Sequence, residues 1–129
     1  MSDELYREVI LEHYKEPQHF GELEPHDLDA HDVNPLCGDE LGVHLRVDDD
    51  GRITDVAFHG TGCAISQASA SIASDEYIGM KVDDVAKLDA TWIYDLLGID
   101  ISATRKKCAL LNLKVMRGAV TGDASWPED

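Results

Sequence analysis

An α+β domain, with a small three-stranded antiparallel sheet packed by helices, is what the 129-residue sequence predicts. Three patterns carry that prediction. Two alternating stretches flank the tight turn Asp49-Asp50-Gly51, an arm of helical period precedes them, and segments of small and apolar residues at helical spacing follow them. The length suits one domain over residues 1–129, with 1–32 forming an N-terminal helix and loop and 121–129 an acidic tail.

Ser2 to about Lys15 reads as the arm helix: Ser2 is a cap, Asp3 and Glu4 fill the first turn, and Leu5, Val9, Ile10 and Tyr14 recur at helical spacing. Pro17 ends it. Gln18 to Asp32 is rich in His, Asp, Glu, Gly and Pro without a sustained period and reads as a partly ordered loop. Val43, Leu45 and Val47 alternate with His44, Arg46 and Asp48, and Arg52 to His59 carries Ile53, Val56 and Phe58. This is a hairpin whose broken alternation calls for a bulge near Asp55, and a third strand is expected just before Cys37. Cys63 to about Ile78, with Ile65, Ser69, Ile72 and Glu76 on one face, reads as a helix closed by Gly79. Two short helices follow, Val82 to Leu88 and Thr91 to Leu97, the second capped by Thr91 and stopped by Gly98. The last helix is expected to start near Ser102 or Thr104 and to end at Arg117 before Gly118, leaving Thr121 to Asp129 frayed.

Composition excludes several function classes. Eleven Lys and Arg face 26 Asp and Glu, a formal charge of −15, which argues against binding nucleic acid through its phosphates. The start Met1-Ser2-Asp3-Glu4 has no basic or apolar leader pattern, and no apolar run approaches a membrane span, so a cytoplasmic address and no membrane partner are expected. The three cysteines, Cys37, Cys63 and Cys108, are an odd, widely spaced set that suits reduced thiols better than a disulfide framework.

Chemistry concentrates at those cysteines. In Asn34-Pro35-Leu36-Cys37-Gly38-Asp39 an extended backbone turns Cys37 and Asp39 to one side, and Gly38 lets the chain bend between them. The plain structural alternative is a strand-entry turn with a buried thiol and an exposed carboxylate. Gly60-Thr61-Gly62-Cys63 turns from a strand into a helix, and a thiol at a helix N-terminus meets unpaired N–H groups and the positive dipole end, which favours the thiolate. These glycines lack the Lys-Ser/Thr pair of a phosphate loop. Arg105-Lys106-Lys107-Cys108 is the one dense basic run; it favours an ionised thiol, while its alternative, a solvated basic turn with Cys108 in the core, leaves positive charge at the wrong end of a helix. Three soft thiolates and one hard carboxylate, Cys37, Asp39, Cys63 and Cys108, suffice for tetrahedral zinc or for a small iron-sulfur cluster, and the oxygen ligand would make a cluster easier to release.

These motifs, with Leu5-Tyr6, His13-Tyr14, Pro17 and Phe20-Gly21 in the arm and Gly60 to Ser71 and Arg105 to Leu111 beyond, resemble the U-type iron-sulfur cluster assembly scaffolds, the IscU/SufU or NifU N-terminal-domain-like family. The resemblance covers nearly the whole chain. It implies a small antiparallel sheet packed by helices, and a Cys37, Asp39, Cys63, Cys108 site holding zinc or a transient two-iron two-sulfide (2Fe-2S) cluster. It also implies a cysteine desulfurase of SufS/IscS type as sulfur donor and a downstream iron-sulfur carrier or apo-protein as recipient. Cys37 is the expected sulfur acceptor because Gly38 frees its loop, and Arg105 is expected to tune the charge of the site. Gly62 to Ser71 and the placing of Arg105 three residues before Cys108 resemble the zinc-binding, sulfur-accepting SufU branch. Lys107 stands where the IscU branch carries a histidine, the segment between Cys63 and Cys108 lacks the longer SufU insertion, and Ile99 to Ala103 does not match the chaperone-binding motif of IscU.

Two other readings compete. One is a small protein-interaction module whose zinc is purely structural. The other is an independent enzyme with Cys63 as nucleophile and Asp39 or a histidine as base. His13, His19, His26 and His31 lie in the arm and loop, His44 is on a polar strand face and His59 is nearest Cys63, so most read as solvated and an independent enzyme is not expected. Trp92, Tyr94 and Leu97 read as core, Asp48 to Asp50 as a solvated turn and not a calcium loop. Tyr6, Val9 and Tyr14 offer either a docking face for the desulfurase or packing onto the sheet.

Overall fold

The computed structural model describes residues 3–36 and 38–128, with side chains from Arg7 onward. The expectations for Ser2, Leu5, Tyr6, Cys37 and Asp129 therefore lie outside the described residues or side chains. Helix α1 spans Asp3–Lys15; strands β1 (Leu28–Asn34), β2 (Asp39–Val47) and β3 (Ile53–Thr61) come next; and α2 (Ala64–Tyr77), α3 (Val82–Val85), α4 (Ala90–Leu97) and α5 (Lys106–Thr121) complete the chain. The sheet is antiparallel in the order β1-β2-β3, so the α+β class and the three strands are as predicted.

Register follows from the alternation. Leu41, Val43 and Leu45 of β2 point to one face, where Val56 and Phe58 of β3 join them against Ala70, Ala73 and Tyr77 of α2 and Leu113 and Met116 of α5. Val43 pairs with Phe58 and Arg46 with Asp55, but Val47 pairs with Ile53, so Thr54 is the extra residue of a bulge beside Asp55, as the broken alternation required. In the hairpin turn the Asp48 carboxylate accepts the Asp50 and Arg52 N–H groups, both at 2.9 Å, which is a structural use of the acidic triplet. Trp92 and Tyr94 pack against the core and Leu97 is buried within it.

Several boundaries differ from the sequence reading, each for a tertiary reason. β1 starts at Leu28, inside the stretch read as loop. Its inward residues are Leu28, Ala30 and Asp32, and the inward carboxylate, which hides the alternation, is neutralised by Lys114 of α5. The remaining loop is tied down: Phe58 donates to the His19 carbonyl and accepts from the Gly21 N–H, both at 2.8 Å, and the Asp27 N–H donates to Leu45 at 2.8 Å. The segment thus crosses the outer sheet face. Helix α1 packs on α2 instead of the sheet, with His13 Nδ1 at 2.7 Å from the Ser71 hydroxyl. Helix α3 stops at Val85, and α4 is capped by Asp89, whose carboxylate accepts the Trp92 N–H at 3.2 Å, in place of Thr91.

Helix α5 starts later and ends later than predicted. Gly118 sits within it, where even a side chain would meet Ala30 of β1 only at an ordinary contact distance of 3.7 Å; Gly122, at φ 80°, is the actual stop. The tail is a strap, not a frayed end. Trp126 packs on the core, Pro127 is buried and the Glu128 carbonyl accepts the Ala90 N–H at 2.9 Å. Among the described residues no helix is long and apolar enough to cross a membrane.

Candidate metal centre

Three elements meet at one point. Asp39 opens β2, Cys63 is the N-cap of α2, and Cys108 lies in the first turn of α5. One carboxylate oxygen and the two sulfur atoms all lie within 4.8 Å of one another. Asp39 is 1% exposed, Cys108 is fully buried and Cys63 is partly exposed, so the group opens to solvent on the Cys63 side. The burial of Asp39 overturns the reading of an exposed strand-entry carboxylate. Cys37, two residues before Asp39, lies outside the described residues.

Local structure holds the carboxylate in place. Asp39 Oδ1 accepts the Cys63 N–H at 2.8 Å, which turns Oδ2 toward Cys63 Sγ at 4.0 Å. Gly62 makes that approach feasible: a side chain there would meet Asp39 Oδ1 and Ser66 Oγ at 3.0 Å. The glycine turn thus lies tight against the carboxylate. Gln67 steadies it by donating from Nε2 to the Gly62 carbonyl at 3.1 Å.

The two thiol-bearing helices are set against each other by a buried polar network. Tyr77 donates to Asn112 Oδ1 at 2.6 Å, Asn112 Nδ2 donates to Ser69 Oγ at 2.9 Å, and Ser69 donates to the Ala109 carbonyl at 2.7 Å. Each bond joins α2 to α5 and so fixes the spacing of Cys63 and Cys108. Burial pushes the Tyr77 phenol well above its ordinary range, so it acts here as a neutral donor. Sequence reading missed Tyr77 and Asn112; the signal was present, since Asn112 interrupts the apolar run Leu110, Leu111, Leu113.

Arg105 is the exposed N-cap of α5, one turn before Cys108. Its lysine neighbours are drawn elsewhere: Lys106 Nζ stands 5.5 Å from the Tyr94 ring centre and Lys107 Nζ 5.2 Å from that of Trp126. These cation–π contacts account for positive charge at the unfavourable end of a helix.

A second group, Glu24, His26 and His44, also has its ligand atoms within 4.8 Å. It is a poor metal site. The His26 and His44 rings stack at 3.9 Å and 15°, so their in-plane lone pairs lie in separate, nearly parallel planes and do not converge on one ion. Both His26 nitrogens are engaged, by the Leu23 carbonyl at 2.9 Å and Asp29 at 3.0 Å, and these acceptors raise its pKa. His59 meets His44 edge-on at 4.9 Å on this outer face, and no histidine joins the Asp39, Cys63 and Cys108 group among the described residues. None of the six histidines is buried and His19 and His31 are exposed, although His13, His19, His26 and His44 also hold hydrogen bonds, and among the described residues none is placed as a base for Cys63.

The donor set fits zinc. Tetrahedral zinc with thiolate and carboxylate ligands holds its donor atoms roughly 3.5–4 Å apart, close to the 4.0 Å between Cys63 Sγ and Asp39 Oδ2.

Comparison with known proteins agrees with this architecture. The zinc-dependent sulfurtransferase SufU of Bacillus subtilis (strain 168) is 36% identical over 138 aligned positions, covering 92% of this chain and 90% of that protein. Those positions outnumber the 129 residues here, so the Bacillus protein carries residues with no counterpart in this chain. The iron-sulfur cluster assembly scaffold protein IscU of Streptococcus pyogenes serotype M1 is 39% identical over 85 residues, 65% of this chain and 52% of that protein. Among solved structures, a protein of Fervidobacterium islandicum AW-1, provisionally assigned as an iron-sulfur cluster assembly scaffold for the SUF system, superposes with a TM-score of 0.74 at 27% identity. That match covers 94% of this chain and all of the other. The NifU-like N-terminal domain family matches residues 5–123, and with a full-length relative more than a third identical, the chain belongs to that family of U-type iron-sulfur cluster assembly proteins.

Proposed function

We propose that this protein serves iron-sulfur cluster assembly by taking sulfur from the persulfide of a cysteine desulfurase onto a site of Cys37, Asp39, Cys63 and Cys108. The observation that carries this reading is the convergence, within 4.8 Å, of ligand atoms from residues 39, 63 and 108, three elements brought together only by the fold. The names of the relatives, a zinc-dependent sulfurtransferase and a cluster assembly scaffold, support it.

Asp39, Cys63 and Cys108, with Cys37 two residues before Asp39 in the chain, are the residues that hold zinc in this reading. Zinc, when bound, supplies the positive charge that keeps such thiols ionised at neutral pH. In the transfer step the Cys37 thiolate attacks the outer sulfur of the partner's persulfide; a new S–S bond forms on Cys37, the partner's S–S bond breaks, and the partner cysteine leaves as a thiolate. No external oxidant or reductant is needed. Arg105 offers its charge to the arriving persulfide. The exposed Leu36 and Leu11, 78% and 52% accessible, with an apolar groove lined by Ile10, Ala64, Ile65 and Ile99 beside Cys63, form the surface on which the desulfurase seats. The same three sulfurs and one oxygen suit a nascent 2Fe-2S cluster as cargo, handed on to a downstream carrier or apo-protein.

Native mass spectrometry of anaerobic protein, before and after incubation with desulfurase, cysteine and ferrous iron, tests this. Zinc with added persulfide sulfur and no iron marks a sulfur relay. Iron gained with matching sulfide marks a scaffold. Zinc retained with neither overturns the proposal in favour of a structural zinc in an interaction module.

A further inference from the structure

One buried side chain at the end of β1 reaches the Cys108 sulfur. Asn34, the last residue of β1, is 1% exposed and pairs with Asp39 across the sheet. Its backbone carbonyl accepts the Gly38 N–H at 2.9 Å and its Oδ1 accepts the Leu36 N–H at 3.3 Å, so it ties both residues to the end of β1. Its Nδ2 donates to Cys108 Sγ at 3.7 Å, across 74 residues of sequence. The Leu36 N–H requires an oxygen at its end of the amide, which leaves the nitrogen facing the sulfur; the amide orientation is therefore fixed from both sides.

We infer that Asn34 is a positioning residue of the site, whose amide nitrogen holds the Cys108 sulfur toward Asp39 and Cys63 while its amide oxygen, held by the Leu36 N–H, fixes the orientation of that amide. This rests on the reading of Cys108 as a ligand. An N–H donor to a metal-binding sulfur orients its lone pairs and draws off part of its charge, the role that outer partners play for metal ligands generally. Aspartate has the same shape but no donor, and it would set a second anion against a thiolate. Only the amide serves both partners.

The test is nuclear magnetic resonance of the full chain loaded with cadmium-113 in place of zinc. Scalar coupling from the metal to the Cys108 β-protons establishes ligation, and coupling to an Asn34 side-chain amide proton, transmitted through the N–H···S bond, is the expected result. Coupling to Cys108 without coupling to Asn34 overturns this inference alone. Coupling to neither overturns the ligand reading and the inference with it. Asn34→Asp, which keeps the acceptor for Leu36, is expected to weaken zinc retention against a chelator by roughly 10- to 100-fold. An Asn34→Asp variant of native thermal stability that holds zinc as the parent does also overturns the inference.

Discussion

Asp39 holds two roles at the site. Its Oδ1 bonds the Cys63 N–H while Oδ2 faces the thiol, so Asp39→Ala removes a buried, charge-assisted hydrogen bond and a hard ligand together. Fold stability is expected to fall by roughly 1.5–3 kcal/mol in urea unfolding. Release of a bound cluster to a chelator is nonetheless expected to slow, because a labile oxygen donor is gone from a soft site; unchanged release kinetics would remove Asp39 from the ligand set. Cys37→Ser should abolish sulfur acceptance, read as loss of the added sulfur mass, while circular dichroism stays native. Acceptance at the parent rate in that variant would move the role to Cys63 or Cys108.

Between elements, the strap 123–128 and helix α5 depend on each other. Trp126 receives Lys107 and Lys114, each with Nζ 5.2 Å from the ring centre, and packs on the core below. Trp126→Ala is expected to cost about 2 kcal/mol in urea unfolding, less than the roughly 3–5 kcal/mol of a fully buried tryptophan. Because Lys107 directly precedes Cys108, that variant should also lose zinc faster; a loss of stability with unaltered zinc retention would confine the strap to a structural role.

For the molecule as a whole, the join between sheet and helices turns on Asp32 and Lys114. Partial burial pushes the Asp32 carboxyl up, but the bonded Lys114 ammonium and the Val33 N–H outweigh it and hold the group below the ordinary carboxylate range. A depressed folded-state pKa gives stability that is present above the unfolded value and lost as pH falls through the folded one. Lys114→Met, which keeps the packing on Trp126, is expected to lose about 2 kcal/mol at neutral pH. The gap between variant and parent should close as pH falls through the Asp32 titration, and a gap constant with pH in urea unfolding would show that the pair does not link the layers.

The sequence by itself determined the chemistry and the local turns. Alternation through Val43, Leu45 and Val47 specified the hairpin and the bulge, the glycines before Cys63 marked a strand turning into a helix, and three lone thiols with Asp39 named a donor set, because these signals lie within a few residues of one another. Tertiary structure alone decided the rest. Asp32 points inward because Lys114 awaits it, helix α5 runs past Gly118 to Gly122, and the tail is held because Trp126 meets two lysines of α5. The bond from Asn34 to Cys108 and the network through Tyr77 and Asn112 depend on how α2 and α5 settle on the sheet. Such contacts join residues far apart in the chain, and no local period records them.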